Sequence, residues 1–201
     1  MNKQDLKNQV IAAVDAMAPE LREISSFLHR NPELGGQEVQ ASQLLKAAIE
    51  RKGFSVETNI SGYETAFIAS KGADGPKIAF LAEYDALPEL GHACGHNLIA
   101  AMSLGAAAAF ATVAGHRAVS YLIGCPAEET SGAKVTMAAD GVFDELQAAL
   151  IVHPADGNYV GGTSYATHPL QVTFHGRPAH VASKTDKGIN ALDALVLFYQ
   201  G

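Results

Sequence analysis

The sequence predicts an α/β fold: a mostly parallel sheet flanked by helices, followed by the start of an α+β lid. Three observations carry that expectation. Apolar residues recur at helical spacing over the first fifty positions. Short β-rich runs then alternate with an alanine-rich helix and further apolar strands. Near position 163 the texture changes to a strand with one open face and a last helix. Residues 1–164 are therefore expected to form the layered domain and 165–201 the beginning of a second.

Over 4–30, Leu6, Val10, Val14, Met17, Leu21, Ile24 and Leu28 follow three- and four-residue steps, which predicts a helix that Pro19 bends or splits. Asn31-Pro32 stops it, and Gly35-Gly36 form a turn. A second helix spans 37–52, with Gly53 as its cap. Runs at 54–58, 65–70 and 77–81 read as strands, the last two separated by the Ala-Asp-Gly-Pro turn at 73–76. A helix at 97–113 follows, then a buried strand at 119–123, a short helix at 132–139 and another buried strand at 148–152. Residues 170–174 alternate as a half-open strand, and 188–199 read as a helix.

The chain has 201 residues, 48% apolar and 17% charged, enough for a substantial core. Its net charge is −7 and it has no basic run, so neither nucleic acid nor an anionic membrane is an expected partner. The uncharged stretch Leu98–Ala114 reads as a core helix rather than a membrane span. The polar N-terminus does not read as a secretory signal. Two cysteines in a chain without an export signal fit a reducing compartment, here the cytoplasm, as free thiols or metal ligands.

The segment Ala82–Asn97 is the richest in chemistry. Asp85 lies just past a strand end, where open α/β sheets form ligand sites. His92, Cys94 and His96 then crowd into five positions, and thiolate and imidazole are donors that zinc and similar metals favour. Glu128 and Glu129 follow the strand 119–123; adjacent carboxylates at a strand end call for a cation or an exposed site. His153 follows a third strand. Three strand ends thus bring Cys94, His96, Glu129 and His153 to one edge of the sheet, a metal site, and Asp85 with the Glu pair supplies charge for two divalent ions. A thiol hydrolase using Cys94 with His92 or His96 is a second reading, disfavoured because residues two apart in a tight loop rarely reach nucleophile–base geometry.

The string Glu-Tyr-Asp-Ala-Leu-Pro…Gly-His-Ala-Cys-Gly-His-Asn, with Pro126–Glu129, Phe143–Pro154 and Gly176–Ala191, resembles the Cys-Gly-His branch of the M20 family of metallopeptidases and amidohydrolases. The resemblance covers essentially the whole chain. It implies one or two Zn²⁺ or Mn²⁺ ions held by Cys94, His96, Glu129 and His153, with Glu128 as general base and Asp85 orienting a metal ligand. Glu83 stands where other branches carry a metal-binding His. His180 matches a lid-domain His that helps hold the substrate or the oxyanion in dimeric relatives. The implied activity is hydrolysis of the amide bond of N-acyl or N-aminoacyl amino acids or dipeptides by a homodimer joined through the lid. Family members run to nearly twice this length and supply a last His after the lid. The 201 residues alone are therefore expected to lack activity, and a non-catalytic metal-binding or partner-dependent fragment is the alternative reading.

Overall fold

The computed structural model describes residues 2–161, 166, 170–180, 182 and 185–201. They fall into two compact units, Met1–Asp156 and Gly157–Gly201. The expected boundary at 164/165 lies in the second of these, where residues 162–165 are outside the described ones.

In the first unit, α1 (Lys3–Arg30) is one unbroken helix with Pro19 inside it, so the proline does not split it. It opens on a capping box: the Asn2 side chain accepts from the Asp5 N–H, and Asp5 accepts from the Asn2 N–H. After it come α2 (Val39–Glu50), β1 (Ser55–Ile60), β2 (Tyr63–Lys71), β3 (Lys77–Ala82), α3 (His96–Ala114), β4 (Val119–Gly124), α4 (Ala133–Ala139) and β5 (Ala148–Leu150).

The strands form one sheet in the order β1-β2-β4-β3-β5. The expected α/β class holds, but the sheet is mixed rather than mostly parallel. The β1–β2 hairpin and the β2–β4 pair are antiparallel; β3 is parallel to both β4 and β5. The reason is the hairpin turn at 61–62: a two-residue connection can only join antiparallel strands, while β3, β4 and β5 are linked through helices.

Leu28, Leu45, Ile49, Leu104, Phe67 and Leu122 pack α1, α2 and α3 onto one face of the sheet. Each such side chain stabilises by about 1.5–3 kcal/mol on burial. On the other face Ile123, Ala133 and Met137 pack β4 against α4. Helix α3 is apolar enough to cross a membrane, and its apolarity has a use here: Ile99, Ala100, Leu104 and Ala107 are completely buried in the first unit.

Two expectations are corrected. The strand at 148–152 is neither buried nor that long: β5 has three residues, all exposed, because among the described residues little besides β3 packs against it. Residues 170–174 are not a strand; in the second unit the described pairing is an isolated bridge, Arg177 with Ile189, and an alternating pattern without a partner forms no ladder. That unit ends in α5 (Ala191–Gln200), capped by the Asn190 side chain on the Leu192 N–H.

Gly124 closes β4 where only hydrogen fits. A Cβ there would lie 2.2 Å from Phe67 Cε1 and 2.8 Å from the Tyr84 hydroxyl. Phe67 and Tyr84 are fully buried, their rings stacked with centroids 6.2 Å apart. Gly124→Ala is expected to destabilise the first unit by about 1–3 kcal/mol through overpacking, read as a lower urea midpoint. An unchanged midpoint would mean that this corner is loosely packed.

Candidate metal centre

Because β3, β4 and β5 run parallel, their C-terminal ends open on the same edge of the sheet. Glu83, Tyr84 and Asp85 leave β3, Cys125–Glu129 leave β4, and Ile151–Pro154 leave β5. The fourth contribution is the start of α3. Gly95 caps it with φ +80°, a left-handed backbone that places His96 as the first helical residue. A Cβ on Gly95 would sit 2.7 Å from Pro154 Cγ, so glycine also lets the Cys-Gly-His loop lie against the end of β5.

His96 is the hub. It is 1% exposed, and its Nδ1 lies 3.0 Å from both Asp85 Oδ1 and the Asp85 carbonyl. Nε2 has no hydrogen-bond partner and faces three carboxylates: Glu83 at 3.4 Å, Glu129 at 3.8 Å and Glu128 at 3.9 Å. A ring whose Nδ1–H is fixed by a carboxylate presents the Nε2 lone pair outward, the arrangement of a metal-bound imidazole. Asp85, itself buried, also accepts the Glu129 N–H through Oδ2 at 2.9 Å. It therefore ties the end of β3 to both α3 and the turn after β4.

His153 stands edge-on to His96, ring centroids 5.9 Å apart, with Nδ1 2.8 Å from the Pro154 carbonyl. Two groups of donor atoms each lie within 4.8 Å of one another: Glu83, His96 and His153, and His96, Glu128 and Glu129. Cys94 belongs to neither group; its thiol stands beside them, under the influence of the Glu129 carboxylate. A cleft of about 580 Å³ opens beside Cys94 and His153, with His29, His92, Asn97 and Leu98 in its wall.

The acidic surroundings set the protonation of these groups. The hydrogen bond to Glu129, then burial, pushes the Cys94 thiol up to about 11. Burial would lower His96, but Asp85 and Glu83 beside it outweigh that and raise it. Burial would raise Asp85, yet the bonds from His96 and the Glu129 N–H hold it below the usual carboxylate range. Glu128 is raised, first by burial and then by Glu83, with Lys134 working against both. The carboxylates beside Cys94 raise its thiol, whereas a nucleophilic cysteine needs a lowered one, so this environment does not favour the thiol-hydrolase reading.

The residues fit a divalent cation. A buried imidazole nitrogen and a buried Glu83 oxygen have no partner, carboxylates crowd around them, and imidazole, thiol and carboxylate are the donors that zinc-type ions take. Of the residues expected from the sequence, Asp85, His96, Glu128, Glu129 and His153 converge directly, and Cys94 stands beside them. His180 lies in the second unit, exposed, accepting the Ala182 N–H. In the sequence Glu83 reads only as a replaced histidine; its position one residue beyond β3 is the available signal. Its pairing with Lys134 of α4 has no signal in the linear sequence.

No family model matches the chain. It is 37% identical over 210 residues to the Xaa-Arg dipeptidase of Mus musculus, covering 96% of this chain and 48% of that protein. It is 32% identical to a p-aminobenzoyl-glutamate hydrolase polypeptide of Escherichia coli K12, covering 98% and 46%. Among solved structures, it superposes on a Bacillus subtilis dinuclear metal-binding peptidase of the M20 family with a TM-score of 0.59 at 28% identity, over 67% of this chain and 42% of that one. The chain thus spans about half the length of these relatives.

Proposed function

The chain belongs to the M20 family of metallopeptidases and amidohydrolases, and from that membership we propose that it supplies the metal-binding part of a hydrolase that cleaves the amide bond of N-acyl or N-aminoacyl amino acids or dipeptides. The observation that carries the proposal is His96: buried, fixed at Nδ1 by Asp85, with a bare Nε2 among three carboxylates. The relatives support the substrate class, one named a dipeptidase and another a p-aminobenzoyl-glutamate hydrolase.

Cys94, His96, Glu129 and His153 would hold one or two Zn²⁺ or Mn²⁺ ions, with Glu83 in the same cluster, and such an ion supplies Lewis acidity for an amide carbonyl and acidifies water. The other roles belong to the protein. Asp85 fixes the His96 ring. Glu128 accepts the proton of the attacking water on its carboxylate and returns it to the departing amine nitrogen. His180 steadies the oxyanion or the substrate. The reading is tested by assaying dipeptides and acyl-amino acids with and without a chelator; hydrolysis that survives complete metal removal would overturn it.

A homodimer joined through the second unit is part of this proposal. Its support is the resemblance to dimeric relatives; in the 201 residues, Leu192, Leu195, Val196, Leu197 and Phe198 of α5 are exposed, with no sheet covering them among the described residues. An apolar surface of that kind promotes association. The 201-residue chain is expected to sediment as a dimer or larger, and Leu192→Glu with Leu195→Glu to shift it toward monomer. A monodisperse wild-type monomer would remove α5 as an interface. The cytoplasm is the proposed location, supported by two unpaired thiols, Cys94 and Cys125. The net charge of −7 supports the absence of nucleic-acid and anionic-membrane partners.

A further inference from the structure

We propose that Glu38 is a positioning residue: it holds the turn Ala127–Glu129 in the conformation that presents Glu128 and Glu129 to His96. The proposal rests on the metal-centre reading above.

Glu38 stands at the N-terminus of α2, where a side chain ordinarily bonds the free N–H groups of its own helix. Glu38 makes no such bond. Glu33 does that work instead, accepting from the N–H groups of Gln40 and Ala41 at 3.1 and 2.9 Å. The Glu38 carboxyl, with no exposed surface, is thereby free to reach across the fold. Its Oε1 accepts the Ala127 N–H at 2.7 Å and the Gly36 N–H at 2.9 Å; its Oε2 accepts the Thr65 hydroxyl at 3.0 Å.

What it grips is a strained residue. Ala127 has φ +56°, in the left-handed region that costs a residue with a Cβ. Its carbonyl is also held, by the Gly132 N–H at 2.7 Å. Gly35 allows the approach: a Cβ there would meet Ala127 Cα at 3.1 Å and Thr130 Oγ1 at 2.4 Å. Two residues on, Asp85 holds the Glu129 N–H. The N–H groups on both sides of Glu128 are thus fixed by buried carboxyl groups from two different elements. Glu128 itself, with 39% of its side chain exposed, needs that frame because little else packs around it.

The Ala127 and Gly36 N–H groups bond to the same Glu38 oxygen, so the role requires an acceptor and not a second charged oxygen. That separates two substitutions. In Glu38→Gln the carbonyl oxygen takes the place of Oε1 and the amide group turns to the Thr65 hydroxyl. Glu38→Met keeps the volume and offers no acceptor.

The test uses the 201-residue chain with Co²⁺ as probe and amide hydrogen exchange as a second readout. Glu38→Met is expected to speed exchange at Ala127 while Leu122 and Ile123 of β4 keep their protection, and to raise the Co²⁺ dissociation constant by about 10-fold or more, the scale seen for outer partners of metal ligands. Glu38→Gln keeps wild-type values of both. Ala127→Gly in the Glu38→Met background restores affinity, because glycine adopts positive φ without strain; a merely structural loss would not be rescued this way. If Glu38→Met does not fold, Glu38→Asp, one carbon too short to reach Ala127, gives the same exchange readout. Unchanged Ala127 exchange in the acceptor-free variant, or equal losses in Met and Gln, overturns the proposal. Wild-type protein that takes up no Co²⁺ would defeat the metal reading instead, and Ala127 exchange alone would then decide the role of Glu38.

Discussion

In protein that hydrolyses amides, Glu128→Gln is expected to lower the rate by about 10²-fold or more while bound metal is retained. Glutamine has the shape of glutamate but cannot take a proton at its carbonyl under these conditions. Distance alone does not separate the two neighbouring glutamates, which lie 3.9 and 3.8 Å from His96 Nε2. Their surroundings do. Glu129 is the more enclosed and its N–H is tied to Asp85, both features of a ligand held in place. Glu128 is the more open, and burial and Glu83 raise its affinity for a proton. Of two neighbouring carboxylates, the more open and more basic one is the better placed to take a proton from water. Steady-state hydrolysis paired with elemental analysis reads both halves of the expectation. A loss smaller than about tenfold is too little for proton transfer and would move the role to another residue.

What is legible in the sequence is tied to local chemistry. Asp85, Glu128, Glu129 and His153 can be placed because each follows an apolar strand by a few residues, and His96 because the Cys-Gly-His loop leads into a helix. Parallel strand ends converge, so residues read separately come together in space. What is not legible depends on what lies beside an element. The turn at 73–76 suggests that β2 and β3 are neighbours, yet β4 inserts between them, a choice made by the α3 crossover rather than by any local residue. The run at 148–152 is as apolar as β4, but burial needs a covering element, and among the described residues little besides β3 packs against β5. Glu38 looks like one more helix-start glutamate. Its partners Thr65 and Ala127 lie 27 and 89 residues away, and no spacing rule reaches that far.

His96→Ala is expected to abolish metal binding, with Cys94→Ser weakening it selectively. His96 is the member common to both donor groups, one with Glu83 and His153 and the other with Glu128 and Glu129. A single substitution therefore removes a ligand from each, whether one ion binds or two. The loss has a second consequence that can be measured without metal. The Asp85 side chain loses the His96 donor while keeping the Glu129 N–H, and a buried acceptor that loses its donor costs about 1–3 kcal/mol. The metal-free variant should accordingly melt below the metal-free wild type. Cys94→Ser acts differently: the thiol sits at the rim beside Glu129, and exchanging sulfur for oxygen removes the soft donor while leaving the carboxylates. Zinc affinity should then fall more than manganese affinity, because thiolate favours the softer ion. Elemental analysis after dialysis, followed by competition with a chelator of known affinity, distinguishes the two variants. Full metal content in both would take Cys94 and His96 out of the centre, and a His96→Ala protein that melts like wild type without metal would show that Asp85 does not depend on the ring.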